Sequence, residues 1–216
     1  MIIWLLSFGV LIAGMLAIWF GYRQPEREFY LFKPLTMVLI LLIPILGQSG
    51  FSIYKILILG GLFFSLLGDV FLMLPGDRFL EGLVAFLIGH LFYIAGFLID
   101  QGTLIWWTVL PLILLASLMS WYLKDDLGKM RIPTYAYVGV ISVMVWLAWS
   151  RWYSAGQFEQ FLAFCGAVLF MISDLILALN RFKVEIRSAR ALDLLTYYTG
   201  QWLIALSVIS LDWLGL

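Results

Sequence analysis

The sequence predicts an all-α, polytopic membrane protein whose eight transmembrane helices form one domain over residues 1–216. The first observation is composition: 64% of the 216 residues are hydrophobic and only 12% are charged, and the mean hydropathy is +1.04. A soluble domain has about 25% charged residues. The second is that the apolar residues form eight runs, each near the length that a bilayer requires. The third is that alternating strand patterns are absent, which favours helices over a barrel.

The predicted spans are separated by short polar segments, which leave no room for a soluble domain. Their approximate limits are 2–20, 34–47, 56–74, 80–98, 103–122, 133–150, 160–179 and 191–213.

The first four spans are each defined by an apolar run with polar residues at its ends. Span 1 has no basic residue before its apolar core, since Arg23 is the first, so it does not resemble a secretory signal. Span 2 is short and follows Lys33, which predicts a tilted helix or one extended by interfacial residues. Spans 3 and 4 each contain one ionisable residue, Asp69 and His90.

The last four spans are also apolar runs with polar residues at their ends. Span 5 begins near Trp106 and Trp107, which are typical of an aromatic belt at the outer surface. Span 6 begins at Pro133, span 7 contains Asp174, and span 8 contains Gln201 well inside its apolar run.

The balance of charged residues excludes several classes of protein. Thirteen basic and thirteen acidic residues give no net charge, so the chain is not a basic nucleic-acid binder. One cysteine, Cys165, excludes an intrachain disulfide and a cysteine zinc cluster, and one histidine, His90, excludes a multi-histidine metal site. We therefore predict no metal and no cofactor, and the alternative is a metal ion held by Asp69, Asp174 and Asn180.

The distribution of basic residues predicts the orientation in the membrane. Eleven of the thirteen lie in the segments that join spans 1–2, 3–4, 5–6 and 7–8, and only Lys55 and Arg151 lie on the other side. The protein is predicted to reside in the inner (plasma) membrane. Because basic loops stay in the cytoplasm, both termini are predicted to lie outside the cytoplasm.

Three short patterns recur four spans apart and predict a parallel four-plus-four repeat. The alternative is chance similarity between apolar segments. The matched patterns are Lys33-Pro34-Leu35-Thr36 with Arg131-Ile132-Pro133-Thr134, Gly68-Asp69 with Ser173-Asp174, and Gly89-His90 with Gly200-Gln201.

Ionisable residues inside a membrane span are costly and indicate function. Asp69 and Asp174 lie about 7.5 and 9 Å from the cytoplasmic ends of their spans at 1.5 Å per residue. We predict these two as functional residues. Other polar residues share this half of the bilayer, and the candidate binding residues among them are Lys33, His90, Tyr93, Tyr135, Tyr197, Tyr198 and Gln201. The structural alternative is that these residues only hydrogen-bond or pack between helices, with Lys33 anchoring a helix end.

Several of these residues carry a family resemblance. Lys33-Pro34-Leu35, Ser65-Leu66-Leu67-Gly68-Asp69, Gly89-His90 with Tyr93, Ser173-Asp174 and Gly200-Gln201 resemble the YhhN-type lysoplasmalogenases in order, spacing and placement on the spans. The resemblance covers most of the chain, from about Lys33 to Gln201. It implies hydrolysis of the vinyl ether bond of lysoplasmalogens to a fatty aldehyde and a glycerophospho-ethanolamine or -choline, with a membrane lysophospholipid as partner.

The residues found suit that chemistry. Protonation of the outer alkene carbon leaves an oxocarbenium ion, to which water adds before the hemiacetal collapses. Two carboxylates that share one proton, Asp69 and Asp174, would supply the acid and the ionised base. His90, Tyr197, Tyr198 or Gln201 would orient the water or hold the headgroup, and Lys33 would meet the phosphate.

Two other functions are open at this stage. A proton-coupled transporter would use the same intramembrane carboxylates and the repeat. A non-catalytic lipid-binding or assembly protein would use them only to hold helices together.

Overall fold

The computed structural model describes residues 1–23, 27–47, 50–99 and 101–209. Within these ranges the chain forms eight α-helices and two 3₁₀ turns, and no strand. The turns, Trp106–Thr108 and Gly128–Met130, directly precede α5 and α6. The helices are α1 Ile2–Phe20, α2 Arg27–Leu46, α3 Ile53–Met73, α4 Phe79–Leu98, α5 Val109–Leu123, α6 Arg131–Ala155, α7 Phe158–Phe182 and α8 Ala189–Leu206.

The predicted class, an all-α multi-pass membrane protein, is confirmed. Seven of the helical segments in the described residues are long and apolar enough to cross a bilayer. Helix α8 is not among them, because it carries Asp193, Tyr197 and Gln201 along one side. Tyr197 and Gln201 are buried within the bundle, so α8 hides its polar side from lipid. The predicted end of span 8, near residue 213, lies outside the described residues.

Helix α2 differs from its predicted extent in a way that matters for the site. It begins at Arg27, well before the predicted 34, so Lys33 and Pro34 lie inside the helix. A proline removes one backbone hydrogen bond, which membrane helices tolerate when their neighbours compensate. Lys33 is thus about 9 Å from the start of the helix at 1.5 Å per residue. It is buried within the bundle and does not lie at the helix end.

Helix α8 lies at the centre of the packing arrangement. It packs against α7 over most of its length and also contacts α1, α2 and α3. Helix α5 is the opposite case, because Leu123 is its one buried residue and α6 is its main neighbour. The bundle therefore has a compact part around α8 and a loosely attached helix at one side.

Two helix crossings depend on glycine. A Cβ on Gly89 of α4 would lie 3.1 Å from the Gly61 carbonyl of α3, and one on Gly166 of α7 would lie 2.6 Å from the Gly200 carbonyl of α8. Small residues at such crossings let membrane helices approach closely. The two crossings are four helices apart and so agree with the predicted repeat, but duplication itself stays a prediction.

Candidate active site

The polar residues of the spans meet at one end of the bundle. Loop contacts define this end: Arg181 at the end of α7 forms a bidentate ion pair with Asp77 before α4, and Lys183 pairs with Asp126 between α5 and α6. Beneath these loops lie six of the seven predicted substrate-binding residues and both predicted catalytic residues. Most of them are almost fully buried, so the bundle encloses a polar interior at this end.

Asp69 of α3 forms a buried ion pair with Lys33 of α2. Lys33 Nζ lies 3.1 Å from Asp69 Oδ1, and the two side chains are 8% and 3% exposed. Tyr197 lies next to Asp69, and its hydroxyl donates to the Ser65 carbonyl at 3.3 Å. The second oxygen, Asp69 Oδ2, is buried without a hydrogen-bond partner in the described residues. The ion pair holds one oxygen and leaves the other able to accept a proton or bind water.

A hydrogen-bonded chain links α4, α8 and α3 beside this ion pair. Tyr93 donates its hydroxyl to Gln201 Oε1 at 2.6 Å, and Gln201 Nε2 donates to Ser65 Oγ at 3.0 Å. All three side chains are fully buried. Gly61 makes room for Tyr93, since a Cβ there would lie 2.2 Å from its ring. Tyr93 and Gln201 therefore fix the helix that carries Asp69.

Asp174 of α7 has a different set of partners, none of them lysine or arginine. The Tyr137 hydroxyl of α6 donates to Asp174 Oδ2 at 2.8 Å, and His90 Nε2 of α4 lies 3.6 Å from the same oxygen. The His90 ring is fully buried and packs against Tyr137 and Phe170, with centroids 5.1 and 4.5 Å apart. Asp174 keeps 13% of its side chain exposed, so it is more accessible than Asp69.

The two predicted catalytic carboxylates share a neighbourhood without touching each other. Asp174 lies close enough to Asp69 and to Asp193 for electrostatic interaction. Asp193 is in the first turns of α8 and accepts a hydrogen bond from Ser173 Oγ at 2.6 Å. The site thus gathers three carboxylates from α3, α7 and α8, and Lys33 interacts with two of them, Asp69 and Asp193.

Two residues of this site were not among the predicted ones. Tyr137, not Tyr135, contacts Asp174, whereas the Tyr135 hydroxyl donates to the Ser120 carbonyl, away from the site. In the sequence, Tyr137 follows Thr134 by three residues, a spacing that places both on one side of a helix. Both residues are buried in α6. Asp193 could have been found from its spacing of four and eight residues to Tyr197 and Gln201.

Tyr198 is buried next to Asp69 and Asp193, on the side of the site that faces α1. Its ring packs on Tyr197 with centroids 5.4 Å apart. It therefore borders the carboxylates without contacting Asp174.

The described residues offer no group of three His, Cys, Asp or Glu side chains placed to hold a metal ion. Asn180 follows Asp174 by six residues and accepts a hydrogen bond from the Ile186 backbone. This bond stabilises the loop after α7.

Two cavities reach two of the three carboxylates, Asp174 and Asp193, from different sides. An apolar groove between α4, α5, α6 and α7 has Asp174 and Tyr137 in its wall. A polar opening beneath the loops, the polar mouth, has Lys33 and Asp193 in its wall. Asp174 thus lines an apolar compartment and Asp193 a charged one.

The fold and this site define a multi-pass helical membrane protein with a buried polar site open to both compartments. A family model described as the YhhN family matches residues 28–208. The chain belongs to the YhhN family.

Individual relatives agree with that membership. The chain is 33% identical over 201 residues to the "uncharacterized membrane protein YhhN" of Escherichia coli O157:H7, covering 92% of this chain and 96% of that one. It is 32% identical over 207 residues to the pig lysoplasmalogenase TMEM86B, covering 95% and 86%. It is 36% identical over 155 residues to the human lysoplasmalogenase TMEM86A, covering 69% and 64%. No solved structure matches the chain.

Proposed function

We propose that this protein is an integral membrane hydrolase that cleaves the vinyl ether bond of lysoplasmalogens. The products are a fatty aldehyde and a glycerophospho-ethanolamine or -choline. The observation that carries the proposal is the placement of Asp174, paired with the neutral donor Tyr137, in the wall of an apolar groove beside a second carboxylate that a lysine holds. The names of the animal relatives support the same activity.

The reaction consumes one water and needs no covalent intermediate. A proton adds to the outer alkene carbon, and the alkene electrons form the new C–H bond, which leaves an oxocarbenium ion. Water adds to the inner carbon and loses a proton to a base. The hemiacetal then breaks its bond to the glycerol oxygen, which takes up a proton, and the aldehyde leaves. Glycosidases pass through a similar cation with two carboxyl groups.

The contacts of the two carboxylates favour different roles. Asp69 is paired with Lys33 at 3.1 Å, and a cation at this distance stabilises the ionised form. Asp174 has Tyr137 and His90 as its contacts and lies in the apolar groove, where the neutral acid is less costly than the ion. We therefore assign Asp174 as the proton donor, and Asp69 as the group that stabilises the cation and accepts the proton of water.

The remaining site residues act through these two. His90 and Tyr137 orient Asp174, and Tyr93 and Gln201 hold α3 and α8 in register around Asp69. Tyr197 and Tyr198 are buried beside Asp69 and limit the space around that carboxylate. In this proposal Lys33 forms the ion pair with Asp69 and does not bind the lipid phosphate. Tyr135 has no part in it.

We also propose that the protein is a single-domain component of the inner membrane with both termini outside the cytoplasm. The distribution of basic residues supports this orientation. The site would then open toward the cytoplasmic leaflet.

The direct test is aldehyde release by the purified protein from a lysoplasmalogen, with the saturated alkyl analogue as the substrate control. We expect release from the vinyl ether only. Asp174→Asn should abolish it, whereas Asp126→Asn, an acidic loop residue paired with Lys183 outside the site, should retain it. Equal release by the wild type and Asp174→Asn would refute the assignment of the acid.

A transporter makes a different prediction in the same preparation. Flux of lipid into liposomes that depends on a pH gradient, without any cleavage, would support it over the hydrolase. Transporters of this kind often bind at interrupted helices, whereas α3 and α7, which carry Asp69 and Asp174, run uninterrupted through the site.

A further inference from the structure

A second group of buried polar side chains lies at the end of the bundle opposite the candidate active site. Arg151 in the last turns of α6 is 8% exposed, and Gln160 in the first turn of α7 is 6% exposed. Only one other basic residue of the chain, Lys55, belongs to the segments on this side. Since a charged residue inside a membrane span is costly, a buried arginine at this end indicates a function.

The register of two antiparallel helices brings Arg151 and Gln160 to the same level. Tyr137 of α6 donates a hydrogen bond to Asp174 of α7, so these two residues face each other. Arg151 follows Tyr137 by fourteen residues, and Gln160 precedes Asp174 by fourteen. Fourteen residues make nearly four helical turns and about 21 Å, so each residue lies on the same face of its helix as its counterpart in the active site. Arg151 and Gln160 therefore face each other about 21 Å from Asp174.

An aromatic ring orients the guanidinium of Arg151 without neutralising it. Arg151 Cζ lies 4.3 Å from the centre of the Tyr54 ring at the start of α3. The Tyr54 hydroxyl lies 2.7 Å from Ser207 Oγ, which itself donates to the Ile204 carbonyl at 2.7 Å. The Tyr54 hydroxyl therefore donates to Ser207, and this bond fixes the ring. A cation–π contact holds a cation in place and leaves its N–H groups able to donate to an anion.

Several polar atoms at this end have no partner among the described residues. Arg151 Nε is buried without a hydrogen bond, and no acidic side chain within the described ranges forms an ion pair with Arg151. Gln160 Oε1 is also buried without a hydrogen bond, as are both amide atoms of Gln101 in the segment after α4. Buried charges are paired and buried polar atoms are hydrogen-bonded in most proteins, so these groups are suited to a ligand.

Charge and hydrogen bonding together define the chemistry of that ligand. Water satisfies a buried amide, but a buried guanidinium needs an anion. The planar fork of a guanidinium matches the oxygens of a phosphate or a carboxylate. Gln160 Oε1 only accepts hydrogen bonds, so the ligand must also donate one. A phosphate group that carries a hydroxyl, or has one beside it, provides both the acceptor oxygens and the donor.

The depth of Arg151 is that of a lipid phosphate. Arg151 lies four residues before Ala155, the last residue of α6, which is about 6 Å at 1.5 Å per residue. Arg151 keeps 8% of its surface exposed, so the site is not sealed from the surroundings. A phosphate group can therefore come from the headgroup of a lipid in the adjacent leaflet or from the water beside it.

We infer that Arg151 and Gln160 form a binding site for a hydroxyl-bearing phosphate group at the end of the bundle opposite the candidate active site. Arg151 donates to the phosphate oxygens, Gln160 accepts from the hydroxyl, and Tyr54 positions the guanidinium. The inference does not depend on the proposed function, because the contacts that carry it are separate from those of Asp69 and Asp174.

Thermal unfolding of the full-length protein in detergent tests the site, because a ligand that binds only the folded state raises the midpoint. One set of measurements titrates inorganic phosphate, with chloride used to keep the ionic strength constant. A second compares mixed micelles that contain phosphatidylglycerol with micelles that contain diacylglycerol, which lacks the phosphate. We expect the midpoint of the wild type to rise with at least one of the two phosphate compounds and not with diacylglycerol.

Arg151→Gln should need roughly tenfold or more of the same phosphate compound for an equal rise, as the loss of a charged hydrogen bond predicts. Arg187→Gln is the matched control, since it removes an exposed arginine at the other end of the bundle and should keep the wild-type response. Gln160→Leu retains every charge and should weaken binding by a smaller factor, and it provides the test if Arg151→Gln does not fold. A rise with phosphatidylglycerol alone identifies a lipid headgroup, and a rise with inorganic phosphate identifies a dissolved anion.

Three results would overturn the inference. The first is a wild type whose midpoint responds to neither phosphate compound. The second is a response of Arg151→Gln, or of Gln160→Leu where Arg151→Gln does not fold, equal to that of Arg187→Gln, which would leave Arg151 a packing role against Tyr54. The third concerns Asp100 and Asp212, which lie outside the described residues. If Asp100→Asn or Asp212→Asn increased the affinity for phosphate, an acid of the chain itself would be the partner of Arg151.

Discussion

Lys33 Nζ lies 3.1 Å from Asp69 Oδ1, and this pair is buried between α2 and α3. The contact joins a lysine in the second helical turn of α2 to a carboxylate near the opposite sequence end of α3. It changes how substitutions of Asp69 must be interpreted, because loss of one partner leaves the other as an unpaired buried charge.

We predict that Asp69→Asn and Lys33→Met each destabilise the protein, by about 3–5 kcal/mol for a buried pair. The double variant Lys33→Met/Asp69→Asn should recover most of that stability, because no charge is then left unpaired. It should remain inactive, since the carboxylate is gone. Thermal unfolding in detergent and aldehyde release measure the two effects separately. A stable double variant with wild-type turnover would remove Asp69 from the mechanism.

Tyr137 and Tyr135 form a matched pair two residues apart on α6. Tyr137→Phe removes the hydrogen bond to Asp174 and should lower kcat by about tenfold or more. Tyr135→Phe removes a bond to the Ser120 carbonyl and should leave kcat near the wild-type value. Steady-state kinetics on one substrate compare the two, and a larger loss in Tyr135→Phe would contradict the geometry of the site.

Gly61 provides a prediction about packing. Gly61→Ala places a methyl group 2.2 Å from the Tyr93 ring, and overpacking of this kind costs about 1–3 kcal/mol. Gly139→Ala lies in open space on α6 and should be neutral or stabilise by up to about 1 kcal/mol. The midpoints of thermal unfolding distinguish them. Similar midpoints would mean that α3 and α4 can separate at little cost.

The orientation is tested by labelling single cysteines in a Cys165→Ala background. Gln157→Cys lies before α7 and Arg187→Cys lies after it, and both positions are exposed. In intact cells a membrane-impermeant maleimide should label Gln157→Cys and spare Arg187→Cys. After the cells are opened, both should react. The reverse pattern in intact cells would place the loops with most of the basic residues outside the cytoplasm.

Much of the site was visible in the sequence because polar residues are rare in apolar helices. Asp69, His90 and Asp174 stand out within their spans, and a rise of 1.5 Å per residue assigns each a depth. Depth alone brings them to one end of the bundle. Tyr135 shows the limit of this reasoning. The depth of a residue along its helix does not tell which neighbouring helix its side chain faces.

Sequence by itself determined the helical bundle, since apolar runs of this length in lipid must satisfy their own backbone hydrogen bonds, and it determined the end at which polar groups collect. Tertiary structure alone decided that Lys33 pairs with Asp69, that Tyr137 donates to Asp174, and that Asp193 joins them. These are contacts between different helices. Helical periodicity fixes the faces of each helix, but the choice of neighbours depends on how all eight pack together, including the glycine crossings of α3 with α4 and α7 with α8.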